Sequence, residues 1–335
     1  MAILFSGGFS VKLVTYLDSK KRQKVGLFSQ GKIIDAAGAL QELKLSSQFA
    51  PNTVLEIIEN QNLSIPVLQA VLKAHTEGKL SSALIQPEES VQIISPMPRP
   101  VSMRDGYAFR QHVEAARKNR GLPMIPEFDQ FPTFYFTNHL AVTGPGDVTV
   151  QKMAQNQLDF ELEVAIVIGK ECRNVAASQA DDCIFGYMIM NDWSARQLQM
   201  EEMKLNLGPA KGKDFATSLG PVLVTRDELK NFATPSPNGE RHSLKMKAFV
   251  NGKQLSEGNL QDMTWTFAQI IERASYGVTL YPGEVIGSGT VGTGCLLELN
   301  GSKITNHLWL KPGDEVILEV DELGKLKNRI CGAEI

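Results

Sequence analysis

Glu161 and Glu163 stand one residue apart in the run Asp159 to Gly169 (DFELEVAIVIG), whose interior is otherwise apolar: Phe160, Leu162, Val164, Ala165, Ile166, Val167 and Ile168. That apolar density predicts a buried strand. Side chains two apart on a strand project the same way, so the two carboxylates share one surface. Two like charges side by side in a dry interior are very unfavourable unless a cation lies between them, and a divalent metal ion removes that cost. The competing reading is the wet face of an edge strand. It is weakened by Ala165 and Val167, which continue the same face as apolar residues.

Other polar groups are spaced so that they can join such a site. Asp105, Tyr107 and His112 lie in MRDGYAFRQH, and Tyr107 to Lys118 has helical spacing. Asp105 is therefore expected to cap that helix, with His112 seven residues on and on the same side. Asn191 to Gln199 (NDWSARQLQ) follows the apolar run Ile184 to Met190, which puts Asp192 at a strand end facing a cleft. Trp193 is read as packing rather than as a substrate platform. His75, His139, His242 and His307 have no such context.

Two glycine motifs suggest nucleotides and are rejected. Gly287, Gly289 and Gly292 satisfy G-x-G-x-x-G, but a dinucleotide site needs a helix next, whereas Cys295 to Leu299 (CLLEL) runs into Asn300-Gly301 and reads as a strand. These glycines are expected to let backbone pass close to a site. Gly208 to Lys213 (GPAKGK) is one residue short of a phosphate loop and is followed by Asp214 in place of a hydroxyl residue.

Together DFELEVAIVIG, NDWSARQLQ, GKDFATSLGP and PGEVIGSGT resemble the fumarylacetoacetate hydrolase family over roughly residues 100 to 330. The resemblance implies a mixed β-roll on which Asp105, Glu161, Glu163 and Asp192 hold Mg²⁺ or Ca²⁺, with Mn²⁺ as a further option. An all-oxygen set of this kind suits a hard ion and is poor for zinc. The resemblance also implies that Arg196 and Lys213 offset the negative charge. Water is activated by His112, oriented by Glu298, and Arg196, Gln199 and Lys213 surround the alkoxide that forms. Tyr107, Tyr135 and Thr290 are implied substrate contacts, and Arg117 and Arg120 both remain open as the partner of a distal carboxylate. The activity implied is metal-dependent hydrolysis of a carbon-carbon bond in a 1,3-diketo acid, fumarylacetoacetate or acylpyruvate-like. The alternative is a decarboxylase, isomerase or dehydratase acting on a 2-oxo acid on the same scaffold. A metal-bound protein without activity is disfavoured, because Glu298, Lys213 and Arg196 have no use in a passive site. A homodimer is implied as well.

Positioning these groups is the task of a chain of 335 residues, 43% hydrophobic and 21% charged, which is ample material for a core. The expected class is α+β and β-rich: a smaller N-terminal α+β domain at 1–95 and a catalytic β-roll domain at 96–335, divided at Pro96, Pro98 and Pro100. Val11 to Leu17, Lys24 to Phe28 and Lys32 to Ile34 predict strands, Val54 to Glu59 and Pro66 to His75 predict helices, and Asn251-Gly252 predicts a hairpin. Residues 1–10 read as a loose arm or an extended start. A net charge of -3 and a pI near 6.0 argue against nucleic acid as a partner. With no membrane-length apolar run, no leader pattern and no C-x-x-C pair, a cytoplasmic location with reduced thiols is expected.

Overall fold

The computed structural model describes residues 11–333. The arm expected at 1–10 lies outside the described residues. The larger of two main sheets runs, in spatial order, Ile85–Pro87, Lys32–Asp35, Gln23–Ser29, Lys12–Leu17, Thr217–Thr225, Ile184–Asp192, Leu162–Ile168, Val285–Gly287, Met103–Gly106 and Phe134–Phe136. A second sheet has five strands, Lys253–Asn259, Lys245–Val250, Glu315–Val320, Gly324–Gly332 and Gly146–Val150. With short helices packed around them, the architecture is α+β and strand-rich, as expected. No helix among the described residues is long and apolar enough to cross a membrane.

The Leu162–Ile168 strand is apolar throughout because both of its faces are covered. Val164, Ile166 and Ile168 enter a core with Met246, Ala248, Val316 and Leu318 of the second sheet. Ala165 and Val167 point the other way, into a core with Met188 and Met190. The cover on that side is the Gln61–Thr76 helix, which lays down the expected stripe of Val67, Leu68, Val71 and Leu72. Glu163 has the parity of Ala165 and Val167, so a carboxylate projects from the same face of the strand as that apolar layer.

The N-terminal strands are not separate from this sheet. Lys12 and Leu13 pair antiparallel with Val224 and Leu223, so both sides of the Pro96 to Pro100 connector share one hydrogen-bonded ladder. The predicted hairpin between Lys245–Val250 and Lys253–Asn259 is present, with Asn251 and Gly252 both left-handed at φ 49° and 78°.

Three local expectations are corrected. Met103–Gly106 is a strand pairing with Val285–Gly287 and with Phe134–Phe136, so Asp105 faces a ladder and caps no helix. The helix itself starts later, at Arg110–Lys118, and its N-cap Phe109 makes no side-chain cap bond. Asp105 and His112 therefore come from successive elements, not from one helix face. Second, Cys295 to Leu299 is not a strand: Leu296–Gly301 is a short helix, and it carries Glu298. The Asp159 carboxylate accepts from the Leu296 and Leu297 amides at 2.7 and 3.0 Å, which supplies partners that the helix start would otherwise lack. The same carboxylate occupies the N-terminus that a pyrophosphate would need. Third, Glu161 lies just ahead of its strand, which starts at Leu162.

Candidate active site

Three strand ends converge on the predicted acids. Carboxylate oxygens of Asp105, Glu161 and Glu163 lie within 4.8 Å of one another, and all three residues are buried. The strand between Asp105 and Ala165 contributes Gly287, paired to both, where a Cβ would run into Asp105 Oδ1 and Met190. The missing side chain opens the space that the acids face. Gly289, at φ 77°, turns its amide to both Asp105 Oδ1 (3.2 Å) and Glu163 Oε2 (3.1 Å). The glycines of the rejected motif thus let backbone approach the site. Asn191 Oδ1 accepts the Glu161 amide at 2.9 Å and fixes that residue ahead of its strand.

Asp192, at the end of Ile184–Asp192, is fully buried beside this cluster. Its Oδ2 is 3.0 Å from Lys213 Nζ and accepts the Tyr135 hydroxyl, and Oδ1 is 3.4 Å from Thr217 Oγ1. Lys213 also pairs with Glu161. Burial opposes the charge on Lys213, but Asp192 and Glu161 outweigh it and hold the ammonium above its usual range. Burial would raise Glu161, yet Lys213 and Arg196 hold it down at about 2. The other acids lack such cover. Burial, then the charge of Asp192, push Asp105 up to about 7, and burial with Asp105 drives Glu163 well above the carboxylate range.

These shifts test whether a metal fits. With the protein's own groups alone, Asp105 and Glu163 resist ionising together, and Lys213 and Arg196 supply two positive charges against five buried carboxylates, those of Asp105, Asp159, Glu161, Glu163 and Asp192. A dication offsets most of the remaining negative charge. The donors are all hard oxygens, three of them close enough to share one ion, as Mg²⁺, Mn²⁺ or Ca²⁺ require. The fit therefore holds for Asp105, Glu161 and Glu163, with Asp192 adjoining through Lys213.

Arg196 spends its guanidinium within the protein. Nε donates to Asp159 Oδ2 at 2.8 Å, Nη2 to Glu161 Oε1 at 2.8 Å and Nη1 to Gln199 Oε1 at 3.0 Å. Asp159 was not singled out in the sequence, although it extends the alternation of Glu161 and Glu163 by one more step. Glu202 was missed too. Its carboxylate accepts from the amides of Ala210 (3.0 Å), Lys211 (2.6 Å) and Gly212 (3.1 Å), directly before Lys213.

His112 and Glu298 meet as the resemblance implied. Nδ1 of the buried imidazole is 2.8 Å from Glu298 Oε2, whose other oxygen accepts the Thr293 amide at 2.9 Å. With a carboxylate partner Nδ1 carries the proton, which leaves the lone pair on Nε2. Tyr107 packs edge-on against the His112 ring, centroids 6.0 Å apart. Thr290 Oγ1 is 3.4 Å from Glu163 Oε1. Trp193 is buried in the core with Nε1 on Ser218 Oγ, a packing role as expected. Arg117 and Arg120 both lie at the far end of the Arg110–Lys118 helix on local carbonyls, those of Pro123 and Ala116.

Residues 102–331 match the family model described as fumarylacetoacetate (FAA) hydrolase C-terminal. The chain belongs to the fumarylacetoacetate hydrolase family. Among relatives, oxaloacetate tautomerase YisK of Bacillus subtilis (strain 168) is 28% identical over 317 residues, 92% of this chain and 96% of that protein. The mitochondrial oxaloacetate tautomerase FAHD2A of Homo sapiens is 28% identical over 295 residues, 88% of this chain and 84% of its own length. In fold, maleylpyruvate hydrolase from Sphingobium sp. SYK-6, solved with manganese(II) and pyruvate, superposes with a TM-score of 0.68 at 21% identity, covering 96% of this chain and 100% of that one. The named activities of these relatives differ.

Proposed function

We propose that this member of the family catalyses metal-dependent proton transfer on an oxaloacetate-type 2-oxo acid, interconverting its keto and enol forms. The observation that carries the proposal is the buried His112–Glu298 pair beside a carboxylate cluster suited to a hard dication. Support also comes from the two tautomerases, which align with this chain over most of their length.

Asp105, Glu161 and Glu163, with Asp192, would hold a divalent ion. When bound, such an ion supplies Lewis acidity toward the oxygens of a 1,3-dicarbonyl acid and so lowers the cost of forming its enolate. The remaining steps belong to side chains. Glu298 keeps the proton on His112 Nδ1, so Nε2 removes a proton from the carbon between the two carbonyls and returns one to oxygen. Lys213 and Arg196 keep Glu161 ionised, and Tyr135 fixes the Asp192 carboxylate. Tyr107 holds the imidazole plane.

The same dyad favours a second reading, the carbon-carbon hydrolysis of a diketo acid, in which His112 takes its proton from water instead of carbon. Absorbance of the enol band separates the two. Under the first reading, oxaloacetate equilibrates faster with Mg²⁺ or Mn²⁺ present, the acceleration disappears with chelator, and His112→Gln loses at least a hundredfold. Acylpyruvates cleaved while oxaloacetate enolisation stays at the uncatalysed rate would replace the first reading by the second; inertness toward both rejects each.

A further inference from the structure

Cys295 is fully buried and takes no part in the proton transfer above, yet it lies among the groups that do. One ligand atom from each of His112, Cys295 and Glu298 falls within 4.8 Å of the other two. Cys295 is the extended residue just before the Leu296–Gly301 helix, Glu298 lies in that helix's first turn, and His112 reaches them from the Arg110–Lys118 helix. An imidazole nitrogen, a sulfur and a carboxylate oxygen are the donors of a borderline-soft dication, three protein ligands with a fourth position open. Bonds of about 2.0 Å to nitrogen and oxygen and about 2.3 Å to sulfur set tetrahedral ligands roughly 3.5 Å apart. Closing from the present spacing needs side-chain movements of about one ångström. The Asp105, Glu161 and Glu163 cluster offers only hard oxygens, so the two groups of side chains sort ions by chemistry.

We propose that His112, Cys295 and Glu298 form a second metal site, selective for Zn²⁺ over Mg²⁺, whose occupancy silences the dyad. On binding, the Cys295 thiol gives its proton to solvent and its sulfur bonds to the ion, while the His112 proton moves through solvent from Nδ1 to Nε2 and frees the Nδ1 lone pair for the ion. The ion takes the place of the hydrogen bond between His112 and Glu298, and no electrons are transferred. His112, held through Nδ1, then keeps its proton on Nε2 and has no lone pair left to act as a base. Binding itself needs no turnover, so the site stands or falls apart from the reaction proposed above.

Cobalt(II) is the spectroscopic probe, added to protein already saturated with Mg²⁺. The expected result is a thiolate-to-cobalt charge-transfer band that saturates near one equivalent, is displaced by Zn²⁺, and is absent from Cys295→Ala and Cys295→Ser, the second variant guarding against a misfolded first. Zn²⁺ is further expected to lower oxaloacetate turnover at least tenfold in the native protein and less than twofold in either variant, each relative to its own Mg²⁺ rate. The proposal is overturned by the absence of a thiolate band, by a band that survives in both variants, or by equal zinc inhibition of native and variant proteins, which would assign zinc to the carboxylate cluster. If oxaloacetate is not turned over at all, the proposed reaction fails and the cobalt band alone decides the site.

Discussion

Asp159 joins two parts of the site that lie far apart in the chain: one of its oxygens takes the Arg196 Nε–H at 2.8 Å, and the carboxylate also receives the amides that begin the helix carrying Glu298. Both residues are buried, so deleting the acid leaves the Arg196 Nε–H without its acceptor in a dry interior and leaves Glu161 as the guanidinium's remaining carboxylate. Asp159→Ala is expected to cost ~3–5 kcal/mol, read as a lower urea midpoint. In Asp159→Ala/Arg196→Met the loss should be smaller than the sum of the two single losses, because the pair that each single variant breaks is then absent as a whole. A double variant as unstable as the sum of its parts would show that the two residues act independently.

Metal removal should make stability fall with rising pH. In the metal-free protein burial and the charge of Asp192 push Asp105 up to about 7, from an ordinary value of 3.8. A raised folded value contributes stability that is full below pH 3.8 and is lost as pH climbs to about 7. In the His242→Leu variant, which lacks the opposing titration of that imidazole, the chelated protein should therefore melt lower at pH 8 than at pH 5, by about 5 °C. Adding Mg²⁺ or Mn²⁺ should remove most of that difference, since the ion takes over from the protons. Thermal melts at the two pH values, with and without chelator, check it.

The loop before Lys213 offers a milder perturbation. Glu202→Ala removes the acceptor of three consecutive amides while leaving the core intact, so the melting temperature should move little. Turnover should fall about tenfold, equivalent to ~1.4 kcal/mol, because Lys213 loses the brace that fixes its backbone. Protease cleavage within 203–209, where Leu205 and Leu207 are 79% and 87% exposed, should speed up. Unchanged turnover with faster cleavage would mean that the brace serves the loop alone.

Acid sensitivity has a separate source at His242. Burial outweighs the attraction of Glu240 and holds this imidazole at about 4, with the Tyr187 ring tilted against it at 54° and centroids 4.9 Å apart. A depressed folded value contributes stability above pH 6.5 that is lost as pH falls toward 4, with a ceiling of ~3 kcal/mol. His242→Leu should flatten the denaturant midpoint between pH 7 and pH 4.5. A slope as steep as the native protein's would place the acid sensitivity elsewhere.

Much of the site was legible because its acids obey a simple period. Glu161 and Glu163 alternate with apolar neighbours, and the early strands are bounded by polar turns that leave little choice. The Leu296–Gly301 helix was not legible: CLLELN is a short apolar run without a clear period, and its helical state depends on a carboxylate more than 130 residues earlier. Asp105 was misplaced for a related reason. An acid ahead of a helical pattern resembles a cap until the ladder to Gly287 and Tyr135 is seen. Asp159 and Glu202 act on backbone amides brought to them by folding, and nothing in their immediate sequence announces those partners.

The pairing of Lys12 and Leu13 with Val224 and Leu223 bears on how the protein can be divided. A chain shortened to begin at Pro96 would lack those partners and strip the cover contributed by Val67, Leu68, Val71 and Leu72 from the layer beside the acids. The Thr217–Thr225 strand would then present an unsatisfied, greasy margin ready to capture another molecule's backbone, so the excised fragment should precipitate rather than work.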